Sequence, residues 1–403
     1  MSEWTWSISC QDAGAERAAG TRASDDVRLA RAALSRLFEP MDQVGLALVE
    51  AVGPVEALRI AVGEHSLEGH HLAPGGVAAL AAGRERWRPR AGSLAPDRDL
   101  ETLARFGGRL VVPEDAEWPE ALGALGGDAP LCLWVRGEEP LPAMDRAAAV
   151  VGSRDATGYG LSAAGEIAKG LADRGVTVVS GGAYGIDGQA HRAALASSSP
   201  AVPTVAVMAG GVDRYYPSGH EDLLREIARR GLMVSELPPG ASPTKHRFLK
   251  RNRLIAALTA LTVVVEARWR SGALSTARRA MELGRHVAAV PGSVYSANSA
   301  GCHRLLREGA LCVTDDQEAY ELIAPAGQGL AEEHRGVTAA HDGLSLVDLM
   351  LLDALPARRG AEVESLARTA GLSEAEVRAG LGRLALMGMC GRTSGGWRRT
   401  DQK

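Results

Sequence analysis

The chain has 403 residues, 46% of them hydrophobic and 23% charged, with a formal net charge of −4; that length calls for about two to four folding units, at least one with a substantial core. Five cysteines (Cys10, Cys132, Cys302, Cys312 and Cys390) form no C-x-x-C pair and have no His at ligand spacing, so neither a disulfide scaffold nor a metal site is indicated. The first residues carry charges and no long apolar core, and no run approaches about 18 apolar residues, so secretion and membrane insertion are not expected and a reducing cytoplasm is the simplest setting.

Residues 1–24 lack sustained periodicity and are rich in Ala, Gly and Ser, which reads as a disordered lead-in. Residues 25–103 read as an α-helical domain. Its segments LARAALSRLF, VGLALVEAVGPVEALRIAVG and GGVAALAAG place apolar residues at helical spacing. Within it, LVEAVGPVEALRI is a helix, a Gly53-Pro54 turn and a second helix. The unit is similar to a helix-hairpin-helix or sterile-alpha-motif domain, whose turn amides can approach phosphates. A plain helical hairpin also turns at Gly-Pro, and only one copy is visible.

Residues 104–323 change rhythm. Short β-branched runs, AAAVVG (147–152), VTVVSGG (176–182), TVAVMAGG (204–211), LMVSELP (232–238), TVVVEA (262–267) and HVAAVPG (286–292), alternate with amphipathic helical stretches. This pattern predicts an α/β fold: an extended Rossmann-like parallel sheet covered on both faces, with its ligand site at the carboxyl ends of the strands. Residues 324–343 read as a polar linker. In 344–403, LSLVDLMLLDAL, VESLARTAG and SEAEVRAGLGRLALMG read as three helices and MCGRTSGGWRRT as a hairpin, a winged-helix-like domain. Residues 324–403 hold ten basic and ten acidic groups, and Glu374 and Glu376 open the expected recognition helix, which argues against duplex reading there.

The stretch from Thr244 to His286 holds ten Lys or Arg against two Asp or Glu, whereas the other 360 residues hold 35 basic and 47 acidic side chains. So concentrated a positive segment suits a polyanion. Its charges flank IAALTAL and TVVVEA, which makes them the rim of a folded site and not a solvated tail. Three Gly-rich strand exits accompany it. In VVGSRDATGYG, Gly152, Ser153 and Arg154 stand where a strand passes into a helix, and turn amides with a guanidinium suit an anionic oxygen. The dinucleotide fingerprint is not matched there.

In SGGAYGIDGQAH, Gly181, Gly182 and Gly185 suit a phosphate cradle, while Asp187 reads as a helix cap and His191 as a packed core residue. In EARWRSGALSTARRA, Ser271 and Gly272 open a helix among Arg268, Arg270, Arg278 and Arg279. Together with Lys245, Arg247, Lys250, Arg251 and Arg253 these offer more contacts than a dinucleotide needs. Extended single-stranded nucleic acid fits the surplus. Phe248 is a candidate for base stacking and equally for the core, and an aromatic content of 4% limits any mechanism built on stacking alone.

The motifs VVGSR, SGGAYGIDGQAH, MAGGVDRYYP, SELPPG, RNRLIAAL, VVVEARWRSGALSTA and HVAAVPG occur in the order found in the DNA-processing protein A family, also called DprA or Smf, which residues 120–315 resemble. The resemblance implies a non-enzymatic protein that binds single-stranded DNA through the Rossmann-like domain, dimerises, and helps to load RecA recombinase during natural transformation, with single-strand-binding protein as a further candidate partner. It implies DNA contacts at Gly152, Ser153 and Arg154, along the Gly181–Gly185 loop, and from Lys245 to Arg253, Asn252 included. The residues themselves add Arg270, Ser271 and Gly272. No catalytic residue, cofactor or metal is expected.

Three departures from the family pattern stand out. Ser218, Gly219 and His220 follow Tyr215-Tyr216-Pro217 where many members have a basic residue and then Asn. Leu249 replaces the Pro of F-P-x-R-N-R, and Cys302-His303 stands where Gly-x-Asn is common. The competing reading is a nucleotide-processing enzyme of the lysine-decarboxylase-like phosphoribohydrolases, which resemble this chain in their Gly-rich exits. Their P-G-G-x-G-T-x-x-E motif supplies a catalytic Glu that SGALSTARRA lacks.

Overall fold

The computed structural model describes residues 23–65, 74–199, 202–331 and 343–400. The expected lead-in lies outside those residues as far as residue 22, as do residues 332–342 of the expected linker. The chain divides into two compact units, Met1–Ala331 and Glu332–Lys403. No helix among the described residues is long and apolar enough to cross a membrane.

The first unit opens with five helices, α1 (Asp25–Leu37), α2 (Gln43–Val52), α3 (Pro54–Val62), α4 (Pro74–Ala91) and α5 (Pro96–Arg105). Ser24 caps α1 by accepting from the Val27 amide, and Asp25 and Asp26 favour its positive end. Helices α2 and α3 turn at Gly53, whose φ of 76° suits a residue without Cβ, and Pro54 opens α3. Helix α4 runs past the expected end at Gly83 and carries Pro89 within it. Leu34, Leu37, Phe38, Ile60 and Trp87 form the core of this region. Ala32 of α1 and Leu103 of α5 are buried with Leu110, Trp134 and Met233, so helices and sheet share a second core.

The sheet has nine strands among the described residues: β1 (Gly108–Val111), β2 (Leu133–Arg136), β3 (Ala147–Val151), β4 (Thr177–Ser180), β5 (Thr204–Val207), β6 (Leu232–Ser235), β7 (Leu261–Val264), β8 (His286–Ala289) and β9 (Leu311–Cys312). Their spatial order is β1-β2-β6-β5-β4-β3-β7-β8-β9. Strands β3 to β9 run parallel, and β2 pairs antiparallel with both β1 and β6. The alternation of a strand sorts its side chains between faces. Ala147, Ala149 and Val151 pack with the helix residues Leu254, Ile255, Leu274 and Leu305, whereas Ala148 and Val150 pack with Ile167, Leu171, Ile186 and Ala190.

Helices α6 (Gly158–Asp173), α7 (Ile186–Leu195), α8 (Glu221–Arg230) and α12 (Asp316–Glu321) leave the sheet on one side, and α9 (Lys245–Ala257), α10 (Ala273–Glu282) and α11 (Ala300–Arg307) cover the other. Strand β3 therefore hands over to α6 on one face while its neighbour β7 hands over to α10 on the opposite face. The two exits diverge and leave a crevice at the carboxyl edge, the place where doubly wound sheets bind ligands.

The second unit comprises α13 (Leu346–Ala354), α14 (Val363–Ala370), α15 (Glu374–Leu386) and a hairpin of β10 (Cys390–Thr393) with β11 (Gly396–Arg399). This is the expected winged-helix order. Leu351, Leu366, Val377, Leu381 and Leu384 build its core, Ser373 and Glu376 form a capping box, and Arg383 clamps Asp348 at 2.8 Å.

One ion pair inside the first unit is nearly dry. The Arg253 and Glu236 side chains are 2% and 8% exposed and meet through two hydrogen bonds of 2.6 and 2.7 Å. Removing one partner strands the other charge, so Glu236→Leu is expected to cost on the order of 3 kcal/mol. The double replacement Glu236→Leu/Arg253→Met is expected to cost less than Glu236→Leu alone, read by thermal or denaturant melting of the full chain.

Candidate nucleic-acid interface

A cleft of about 290 Å³ opens at the crevice. The β3 exit contributes Gly152, Ser153 and Arg154, the β7 exit contributes Arg268, Arg270, Ser271 and Gly272, and α9 contributes Phe248, Arg251, Asn252 and Ile255. The charged lining is four Arg against one Asp, the buried Asp187. Helical spacing explains which residues of α9 take part. Phe248, Arg251, Asn252 and Ile255 recur along one face, whereas Arg247, Lys250 and Arg253 fall on the remaining arc.

The expected phosphate contacts divide accordingly. Arg253 is buried against Glu236 and donates to the Asp128 carbonyl at 2.9 Å, so it faces the protein body and not the cleft. Arg247 is held by Glu39 at 2.7 and 3.1 Å, and Lys250 donates to the Pro40 carbonyl. Arg247 and Lys250 thus dock α9 to the segment after α1, while Arg253 ties it to Glu236 and Asp128. Burial raises the Glu39 carboxyl, but Arg247, Arg90 and Lys250 outweigh it and hold the group below its ordinary value. Lys245 is exposed at the start of α9. Among the described residues Arg154, Lys245, Arg270 and Arg278 have no carboxylate partner, whereas Arg268 pairs with Asp155 at 2.6 Å and Arg279 with Asp128 at 2.9 Å.

Arg251 is also buried, at 5% exposure. It donates to the Gly181 carbonyl at 2.9 Å and to the Val207 carbonyl, and its Nε donates to Asn252 Oδ1 at 3.2 Å. Burial lowers its pKa to about 10, with Asp187 opposing that shift. A Cβ on Gly181 would collide with this guanidinium. Asn252 in turn donates to the Gly272 carbonyl at 3.3 Å and to Ser275 Oγ at 2.9 Å, which ties α9 to the β7 exit.

The Gly181–Gly185 loop corrects a second expectation. Its Gly181 and Ala183 amides donate to Asp187 Oδ2 at 3.2 and 3.4 Å, so they are not aimed at a phosphate. Gly181 and Gly182 are buried. Asp187 holds this loop and does not cap α7, whose N-cap is Gly185. Burial pushes the Asp187 carboxyl up, opposed by Arg251 and the two amides. Gly185, at φ 75°, lies so close to the Ser153 and Arg154 carbonyls that no side chain fits. Ser153 is buried as well, and its amide donates to the Glu266 carbonyl at 2.7 Å.

Phe248 is half-buried in the cleft. The Arg154 and Arg251 guanidinium carbons lie 5.0 and 5.7 Å from its ring centroid, and the Tyr216 ring lies 5.9 Å away. Sequence reasoning passed over the other aromatics. Tyr159, Tyr184, Tyr216, Trp269 and Tyr295 are all exposed, and each follows a strand exit at the carboxyl edge. Tyr159, Tyr184, Tyr216 and Tyr295 follow glycine-containing turns and Trp269 precedes one, which in a chain with so few aromatics was the available signal. Among the described residues no group of three His, Cys, Asp or Glu is placed to hold a metal.

A model of the family described as DNA recombination-mediator protein A matches residues 109–324. The chain belongs to the DNA recombination-mediator protein A family. A putative DNA processing protein DprA of Mycobacterium tuberculosis H37Rv is 46% identical over 386 residues, covering 93% of this chain and 95% of that protein. Protein Smf of Escherichia coli K12 is 40% identical over 215 residues, 52% of this chain and 56% of Smf. The X-ray structure of DprA from Streptococcus pneumoniae aligns with a TM-score of 0.57 at 30% identity, covering 74% of this chain and 98% of that one. As a DNA recombination-mediator protein A, the chain is a DNA-processing protein of recombination.

His191 is a packed core residue of α7. Thr204 Oγ1 donates to the Val178 carbonyl at 2.7 Å and must therefore accept from His191 Nδ1–H at 2.6 Å, which leaves the buried Nε2 without a donor. Burial lowers its pKa from 6.5 to about 3. The unfolded chain takes up this proton first, so stability is complete above about pH 6.5 and falls as pH drops toward 3. Each pH unit in that window is expected to cost about 1.4 kcal/mol, and His191→Gln is expected to flatten the slope in melts across pH. Arg251→Met is expected to cost on the order of 3 kcal/mol, because it leaves two carbonyls without their donor and takes the compensating positive charge away from buried Asp187.

Proposed function

We propose that this chain is a single-stranded-DNA-binding recombination mediator, which holds the strand at the carboxyl edge of its sheet and protects it while RecA is loaded. The observation that carries the reading is the cleft between β3 and β7, whose charged lining is four Arg against one buried Asp beside the Phe248 ring. Arg154 and Arg270 supply phosphate contacts there, and Lys245 extends them along α9. Arg251 adds charge from beneath while engaged with carbonyls. Phe248 offers a face for a base, with cation–π support from Arg154.

Gly152, Ser153, Ser271 and Gly272 shape the exits without bulk. A homodimer, RecA and single-strand-binding protein as partners, and a cytoplasmic setting complete the reading. The phosphoribohydrolase alternative has less support. The start of α10 brings Ala273 and Thr276 to the cleft and no carboxylate.

The test is binding of labelled single-stranded and duplex oligonucleotides across a salt series. Tighter single-strand binding is expected, with the log–log salt slope reduced by about 0.7 for each of Arg154→Ala and Lys245→Ala. Arg247→Ala is expected to leave the slope nearly unchanged, since Glu39 already holds that cation. Strand-indifferent binding, or wild-type slopes in the first two variants, would sink the assignment.

A further inference from the structure

Beyond the cleft, on the β7–β8 side, three large side chains stand in water: Trp269 is 61% exposed, Val294 78% and Tyr295 96%. Exposed apolar groups gathered on adjacent strand exits are informative where scattered ones are not. Trp269 is flanked in the chain by Arg268 and Arg270, which both line the cleft, yet its own ring is absent from that lining. It is turned outward from the rim. Arg304 of α11 backs the indole at 5.4 Å from the ring centroid, and Glu308 accepts from Arg304 Nε at 2.6 Å.

Tyr295 lies on the loop that follows β8, and this loop is fastened to the same exit. The Ala267 amide donates to the Asn298 carbonyl at 2.7 Å, and Arg268 Nε donates to Asn298 Oδ1 at 2.7 Å. At the loop's start, Tyr159 donates from its hydroxyl to the Pro291 carbonyl at 2.6 Å. Two rings are thus held on neighbouring strand exits next to a cationic cleft.

We infer that Trp269 and Tyr295 form a second base-stacking subsite, which receives bases of the same single strand after it crosses the cleft. The inference rests on the reading of the cleft as a single-strand site. Charge decides in favour of DNA over an apolar protein surface. The carboxylates nearby, Asp155 and Glu308, are paired with Arg268 and Arg304, which leaves Arg270, next to Trp269 in the chain, and the exposed Arg307 of α11 without a carboxylate partner among the described residues. A polyanion whose bases present π-faces satisfies both features at once, and stacking on exposed aromatics tolerates any base.

The experiment compares binding of labelled oligothymidylates of about four and about sixteen nucleotides by the full chain, lengths bracketing the site sizes of single-strand-binding OB folds. Trp269→Ala and Tyr295→Ala are each expected to weaken the long strand about tenfold, to leave the short strand unchanged, and to leave the salt slope unchanged because no charge is lost. Trp269→Phe is expected to keep most of the affinity. Removing the bases from one end of the long strand is expected to reproduce the Trp269→Ala loss in the wild type. If both alanine variants bind the long strand as the wild type does while Arg154→Ala weakens both lengths, the subsite is wrong and the cleft stands. If Arg154→Ala is also without effect, the cleft reading fails with it. A loss of self-association in Trp269→Ala, with long-strand affinity intact, would assign the rings to a second copy of the chain and overturn the subsite.

Discussion

The Arg251 guanidinium reaches from α9 to the carbonyls of Gly181 and Val207, at the ends of β4 and β5, under burial that brings its pKa down to about 10. Carbonyls at a strand exit have lost their ladder partners and need donors. One planar fork serves two of them and also meets Asn252, which a lysine's point charge would do poorly. The depth and rotation of α9 are fixed by this contact. Phe248 and Asn252, adjacent on the same face, inherit their positions from it, and Asn252 passes the constraint on to the β7 exit through Gly272 and Ser275. The crevice is therefore preorganised from beneath.

Much of this was legible in the residues. The six β-branched runs became β3 to β8, because runs of Ala and Val too apolar for a half-exposed sheet have little choice but a doubly covered one. The antiparallel pair β1 and β2 was not foreseen; four residues each give too short a period to recognise. A cleft opens at the Gly-rich exits, but several of their groups are engaged within the protein. Donors that sequence reasoning assigned to phosphate, such as the Gly181 and Ala183 amides, are taken by Asp187 six and four positions away. A carboxylate reads the same in sequence whether it caps its own helix or reaches back to a loop.

The basic segment teaches the same lesson for charge. Density along the chain points to one segment, but the helix divides its cations between two arcs, and Glu39 and Glu236 neutralise the arc that faces inward. Those partners lie far away in sequence. Arg247 finds its acid 208 residues upstream and Arg253 finds one 17 residues upstream. Arg247 and Arg253 are thus matched by carboxylates and Lys250 and Arg251 by carbonyls, whereas Arg154, Lys245, Arg270 and Arg278 have no carboxylate partner among the described residues. The second unit shows the matched case, with Arg383 clamped to Asp348 on a surface of balanced charge.

The walls of the cleft are distant in the chain: Val151 opens its lining and Thr276 closes it. Between them the polypeptide must complete β4, β5 and β6, cross over through α9 and insert β7 beside β3. Pairing of that kind is non-local and forms late relative to helices and hairpins. During synthesis the Arg154 side of the cleft emerges long before the Arg270 side, and a chain paused between the two has the cationic turn without its opposite wall. The two-walled cleft is thus complete only once β7 lies beside β3, and a product truncated before β7 lacks the Arg268 and Arg270 wall.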